Sequence, residues 1–564
     1  MRRGLAVATA HRMKSIVSAA IAICALASAA RGQQTVGLFD YDPSRFFVGY
    51  TLFAPTRSTT TYLIDMYGYQ VHAWSSAYTP GQSCMLLENG HLLRTANASN
   101  PVFTSGGTGG RVQDLEWDGT LGWDYLYSNN QHCQHHDIER LPNGDVLMIA
   151  WERKTQAEAI AAGRNPALIT AQGLWPDHLV QVRPTGATTG MIVWEWHLWD
   201  HLVQDFDASM PNYGVVADHP ELVNLNYPNN NQRDWTHVNA VHYDPTFDQI
   251  VLSVHNTDEI WVLDHSTTSA EAAGHTGGSS ERGGDLLYRW GNPEAYGRGT
   301  PADQRLFGQH DSQWIADSLP GARNFLLFNN GLGRGYSSLD ELVPPVDANG
   351  VYGLAPGAAY GPSALAWSYT AAPPTSLYAA NVSGAQRLPN GNTLACDGPH
   401  GAFFEVTSDG TEVWRYVNPV IASGPLASDD PIPGGSTQET SVFRCYRYAS
   451  AYPGLAGRTL EPIGLIERGS STDASRLESA GLALEALSPV RGDATVRFHL
   501  GSAQAVRLAL HDVRGRLVRV IFEGAANAGA RDATLDVRGL PAGVYILSLT
   551  TPSARIGRRL VTVP

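Results

Sequence analysis

A tryptophan recurs six times in similar surroundings along the 564 residues, and this recurrence confines the chain to a repeat architecture. The copies are GYQVHAW ending at Trp74, DGTLGW at Trp123, GMIVW at Trp194, DLLYRW at Trp290, SALAW at Trp367 and DGTEVW at Trp414. A second pattern precedes most of them: LLENGHLL, RLPNGDVLMIAWE, HYDPTFDQIVLS, ADSLPGARNFLLF and RLPNGNTLACD. Each of these reads as strand, tight turn, strand, because Asn-Gly and Pro-Asn-Gly supply the positive φ a hairpin needs and β-branched or aromatic residues follow.

One unit is therefore about four strands, and the units predict an all-β fold, a six-bladed β-propeller over residues 33–468. The tryptophans are expected to pack between neighbouring blades. Pairing the strand near Tyr50–Leu63 with FRCYRY at 443–448 closes the ring and removes open sheet edges. The longer units carry insertions at Thr155–Trp175 and Asp200–Gln232.

The ends of the chain read differently. Residues 1–32 combine Arg2, Arg3, Arg12 and Lys14 with an apolar run from Ile16 to Ala30, the pattern of a signal peptide, which predicts a secreted, cell-surface or periplasmic protein. Residues 469–488 are small and polar, a linker, and 489–564 alternate as the strands of a small C-terminal immunoglobulin-like β-sandwich. Cys84, Cys133, Cys396 and Cys445 permit disulfides without choosing a pairing, and no zinc-type Cys/His spacing is present. The net charge of −14 without a basic tract excludes nucleic acid as a partner. No cofactor and no metal is expected, and the oligomeric state is left open.

In a propeller, residues just ahead of the hairpin turns converge on one mouth of the central channel. His136, His237 and His310 occupy such positions, six, eight and ten residues before Pro142, Pro245 and Pro320. His135 and Asn239 neighbour them, while His255, Asn256 and Asn330 end the second strands at the same mouth. Convergent imidazoles suit nucleophilic and acid–base work near neutral pH. Three neutral imidazoles also suit a zinc ion, and a non-catalytic ligand-binding surface propeller is a further reading.

HHDIERLPNG, DWTHVNAVHYDPTFDQIVLSVHNTDEIWVLD, RWGNP, GQHDSQW and SGAQRLPNGNTLACDGPHGAFFEV, in that order, resemble the bacterial arylsulfate sulfotransferases from about Gly37 to Gly457. The resemblance implies an exported six-bladed enzyme that moves a sulfuryl group from an aryl sulfate to a phenolic acceptor without a nucleotide donor. It implies that His310 is transiently sulfated and that His136 and His237 surround the transferring group. The family's arginine eighteen positions after the second of these falls on His255 here, which is then an auxiliary donor. Asn239, Asn256, His135 and Asn330 are the expected substrate contacts. HDVRGRLVRVI, GLPAGVYILSL and RRLVTV resemble the C-terminal sorting domains of type IX secretion cargo, which implies delivery by that secretion machinery.

Overall fold

The computed structural model describes residues 33–469, 483–486, 490–512, 516–552 and 555–562. The expected leader at 1–32 and most of the expected linker lie outside the described residues. The protein is essentially all-β. Only two short α-helices, Gln156–Ala161 and Ser269–Ala272, occur among the described residues, each opened by a threonine whose hydroxyl takes the N–H three residues on.

From residue 37 to 465 the strands, two short two-stranded pairs aside, fall into six antiparallel sets of four neighbours, two of which are extended by an outer strand. One bridge, Gln82 to His136, joins the second and third sets into an eight-stranded sheet. The six tryptophans all stand on the outermost strand of a regular set: Tyr69–Ser75, Leu121–Leu126, Thr189–His197, Tyr288–Trp290, Trp367–Tyr369 and Glu412–Val417.

Each tryptophan donates its indole N–H to the following set. Trp74 bonds the Glu116 carbonyl, Trp123 that of Thr189, Trp194 the Thr267 hydroxyl, Trp290 the Pro362 carbonyl and Trp367 that of Ser408. Trp414, in the last set, bonds the Met66 carbonyl of the first at 2.8 Å. A buried indole N–H needs such a partner, so these bonds satisfy the ring while orienting it between sets. The first set itself joins the two ends of the array. Gly49–Pro55 pairs with Val442–Ala449, Tyr50 opposite Tyr448 and Phe53 opposite Cys445.

The hairpin turns differ in one detail from the expectation. In RLPNG the Gly144 N–H returns to Leu141, and only Gly144 (φ 88°) takes a positive φ; Asn143 does not. Proline at the second position and glycine at the fourth make this a type I turn closed by a glycine bulge, which bends the hairpin with the twist of its strands. The four cysteines are buried free thiols.

The C-terminal region contains a three-stranded antiparallel sheet, Ala483–Ala486, Asp493–Leu500 and Gly529–Asp536. A four-stranded sheet orders Leu517–Ala526, Gln504–Asp512, Gly543–Thr550 and Arg555–Thr562. Phe498 and Leu535 of the first share one apolar core with Leu508, Leu510 and Leu547 of the second. No helix of the described residues is long and apolar enough to cross a membrane.

Candidate functional site

The innermost strands of successive sets touch one another in order, and the order returns to its start: Val442–Ala449, Pro80–Leu86, His132–Arg140, Val238–Asp244, His310–Trp314, Gly384–Arg387 and back to Val442–Ala449. At one end these strands are bulged. Register shifts fall at His135–Asp137, at Asn239 and between His310 and Gln313. His136 (φ 50°), His237 (φ 53°) and Asp311 (φ 59°) sit in the left-handed region. Each such residue costs on the order of 1–3 kcal/mol, a strain that the surrounding sheets must hold in place.

The bulges gather four imidazoles into a continuous row. Ring centroids are 4.6 Å apart from His136 to His237, 5.1 Å from His237 to His255 and 5.4 Å from His255 to His310. A cavity of about 510 Å³ opens on His237 and His255, with Thr104, Trp175, Arg233 and Asp234 on its wall. His136 and His310 lie one ring deeper, 3% and 2% exposed.

Hydrogen bonds set the tautomer of each ring. His310 Nδ1 faces two acceptors, Asn330 Oδ1 at 2.8 Å and the Gly308 carbonyl at 3.1 Å. The Asn330 amide nitrogen is spent on the Ala379 and Val382 carbonyls, so its oxygen is the atom turned to His310. Nδ1 therefore carries the proton and Nε2 keeps the lone pair. His255 repeats this arrangement: Nδ1 donates to Asn256 Oδ1 at 2.8 Å, and the Asn256 nitrogen is held by the Asp234 and Trp235 carbonyls.

His136 is reached through a relay. Asp177 accepts from His135 Nε2 at 2.7 Å, which leaves His135 Nδ1 to accept from His136 Nδ1 at 2.8 Å. His135 is fully buried and stacked on Trp151, and Asp177 also takes the Thr236 hydroxyl and the Val238 N–H. Asn239, likewise fully buried, donates to the Gln309 carbonyl beside His310.

The four rings differ in charge. Burial drives the pKa of His310 well below the ordinary 6.5, and His255 adds to this more than Asn330 offsets it. Burial, then His237, does the same for His136 and lowers His255 to about 4. All three are neutral at pH 7. His237 departs from them, because burial opposes its proton but the Asp234 carboxylate, 2.5 Å from Nδ1, outweighs burial and raises its pKa. Of the four rings, His237 is the one whose surroundings favour the protonated form.

A second group lies just beyond the rings. Arg444 is buried on the closing strand, where it bonds Asp137 at 2.6 Å, lies 3.2 Å from Asp311 and donates to the Asn239 carbonyl. It ties four innermost strands together. A larger cavity, about 700 Å³, opens beyond Arg444 and is lined by Glu139, His242, Ser312 and Tyr446; none of the four histidines reaches it. Sequence reasoning missed Arg444, Asp234 and Asp177. A signal was present: Asp137 follows His136 as Asp311 follows His310, and both aspartates meet the same arginine.

Gly107 covers His136. Its carbonyl takes the His136 N–H at 2.8 Å, and a Cβ there would fall 2.0–2.3 Å from three ring atoms. At φ 85° any side chain is strained as well. Gly107→Ala is expected to cost about 1–3 kcal/mol in chemical denaturation. It should also displace the His136 ring from the row.

The arylsulfotransferase family model matches residues 57–413, the span that contains the four histidines. The chain belongs to the arylsulfotransferase family. Membership assigns it the transfer of sulfur-containing groups in general terms. A second model, the secretion system C-terminal sorting domain, matches residues 488–563, a module typical of secreted and cell-surface proteins.

No curated protein matches the chain. Among solved structures it is similar to a protein of unknown function from Bacteroides caccae, at 10% identity over 65% of this chain and 93% of that one, with a TM-score of 0.34. It is also similar to a periplasmic gluconolactonase of Pseudomonas aeruginosa, at 11% identity over 86% and 99%, TM-score 0.32. A virginiamycin B lyase from Staphylococcus aureus matches at 10% identity over 69% and 90%, TM-score 0.29.

Proposed function

We propose that the six strand sets are the blades of a closed six-bladed propeller. In this reading its axial funnel moves a sulfuryl group from an aryl sulfate to a phenol through a sulfo-histidine. Residues 33–468 form the catalytic unit, 1–32 an export leader, 469–488 a linker and 489–564 an immunoglobulin-like sorting domain read by a secretion apparatus. The observation that carries the reading is the row of four imidazoles with opposite charge preferences: neutral rings at 136, 255 and 310, and a proton-holding ring at 237.

The chemistry runs in two displacements. In the first, the His310 Nε2 lone pair attacks sulfur, and the S–O bond to the donor phenol breaks with its electron pair going to oxygen. The His237 Nε2–H protonates the departing phenolate. In the second, neutral His237 takes the acceptor's hydroxyl proton, the acceptor oxygen attacks sulfur, and the N–S pair returns to His310. Charge on the transferring group spreads over its oxygens, so positioning and cationic donors do most of the work.

Arg233, at the cavity wall over the Trp175 face at 4.4 Å, takes the receiving role of the arginine that the family places at 255. His136 lies against the same group as a further acid–base residue, and His255 is a neutral neighbour. Asn330, Asn256 and His135 act by fixing tautomers rather than by touching substrate, and Asn239 positions the strand of His310.

Transfer from a nitrophenyl sulfate to a phenol should show parallel ping-pong lines, and the absence of turnover with this donor class would sink the reading. The pH profile tests the assigned charges. His310 and His255 must be neutral, so the acid limb of kcat/KM should fall near pH 4 or below. His237 must hold its proton, so activity declines as pH rises through a value above 6.5. Asp234→Asn removes the charge that raises this value and should shift the alkaline limb to lower pH. An unmoved limb would exclude His237 as the acid.

A further inference from the structure

Outside the histidine row, His201, His275 and Asp285 form the one group of three metal-ligating side chains among the described residues whose donor atoms all lie within 4.8 Å of one another. His201 enters the short parallel pairing of Leu202–Val203 with Val223–Asn224, whose Val223 N–H bonds the His201 carbonyl. His275 and Asp285 belong to the loop after Glu259–Asp264. Both imidazole Nδ1 atoms approach the same carboxylate oxygen, Asp285 Oδ1, at 2.8 Å.

The other nitrogen of His201 decides how this is read. Nε2 lies 2.8 Å from the Ala272 carbonyl, an acceptor only, so the proton of a neutral ring is on Nε2 and Nδ1 is a bare lone pair. In that neutral form the lone pair is aimed at a carboxylate oxygen, as is Nδ1 of His275. A divalent cation among the three atoms turns this repulsion into coordination, and a carbonyl on the far nitrogen is the usual outer partner of a metal-bound imidazole. The ring is fixed further by stacking on Trp196 at 6°, while the Trp196 N–H bonds the Gly284 carbonyl.

The loop is tied mainly by polar contacts, such as Ser280 to Asp264 and Ser269 to the Glu195 N–H, and has little apolar anchorage. Between Thr268 and Arg282 the single buried apolar side chain is Ala272. His201 is fully buried and the Asp285 side chain 9% exposed, whereas His275 is 59% exposed, which leaves a coordination position open to water.

We propose that His201 Nδ1, His275 Nδ1 and Asp285 Oδ1 bind one zinc-class divalent ion, with water as the fourth ligand. The ion straps the loop at 265–285 to the insertion that carries His201. Two nitrogens and one carboxylate oxygen suit zinc, at ligand distances of about 2.0–2.1 Å, which asks the two 2.8 Å N···O separations to open to roughly 3.3 Å. The proposal does not depend on the sulfuryl-transfer chemistry.

The test uses the full chain, stripped with a chelator and titrated with Co²⁺ and then Zn²⁺. The expected result is the visible d–d absorption of a four-coordinate cobalt site, displaced by zinc, and slower tryptic cleavage after Arg282 when metal is present. His275→Ala, at an exposed position that leaves the core intact, should weaken binding at least tenfold, while His255→Ala in the central row leaves it unchanged. Cobalt absorption lost in His255→Ala and kept in His275→Ala would overturn the assignment. So would no binding at all, which would leave His201, Asp285 and His275 as an ion-paired cluster.

Discussion

Replacing His310 with alanine is expected to abolish the proposed covalent step. After exposure to an aryl sulfate, intact-mass spectrometry of the parent protein should show one added sulfo group, and His310→Ala should show none. Loss of the nucleophile should lower kcat/KM by on the order of 10³-fold or more. His255→Ala serves as the comparison, because His255 has the same fixed tautomer and lies nearer the cavity. The prediction for it is a reduced rate with the sulfo group still on 310. A sulfo group mapped to 255 in the parent protein would mean that the more accessible neutral ring attacks and that His310 only supports it.

The second large effect concerns stability. Arg444 bonds Asp137 and lies beside Asp311, all three buried, and burial moves the Asp311 carboxyl up to about 7 even beside the arginine. Arg444→Met leaves two buried carboxyls without a cation, and about 3–5 kcal/mol of unfolding free energy should be lost at pH 7. The sign of its pH dependence is fixed by the carboxyls. In the variant the folded-state pKa of Asp311 lies further above the unfolded value of 3.8, so the folded state binds more protons and stability falls as pH rises. The deficit should therefore shrink below pH 3.8, where both states are protonated. Urea denaturation at pH 7 and at pH 3.5 checks both points, and Asp137→Asn with Asp311→Asn in the Arg444→Met background should recover part of the loss. A variant as stable as the parent at pH 7 would show that the three groups do not share a buried charge centre.

Much of the architecture was legible because it rests on local rules. Turn residues with one allowed conformation mark the hairpins, and alternation marks the strands between them. A tryptophan at one position per unit marks the outer strand. Even the pairing of Tyr50 and Phe53 with the 442–449 segment could be anticipated, since an open edge at each end of the array needs a partner. The turn type was less legible: Pro-Asn-Gly is compatible with two hairpin geometries, and only the backbone distinguishes Gly144 as the single left-handed residue.

The site divides along the same line. Residue type and repeat position were enough to select His136, His237, His255 and His310, because each belongs to a unit whose strand order the sequence already implies. Their charges were not. Whether an imidazole is neutral or cationic depends on what faces its second nitrogen and on how deeply it is buried, and repeat position specifies neither. Asp234 turns on His237 and Asn330 on His310, while Asp177 reaches His136 through His135. Arg444 escaped notice for the same reason, lying more than three hundred residues from Asp137 in the chain. Sequence alone determined the repeating strands, their turns and which side chains could meet. Tertiary structure alone decided which of them hold a proton, because hydrogen bonding and desolvation act through space and exist only once the sets have closed around them.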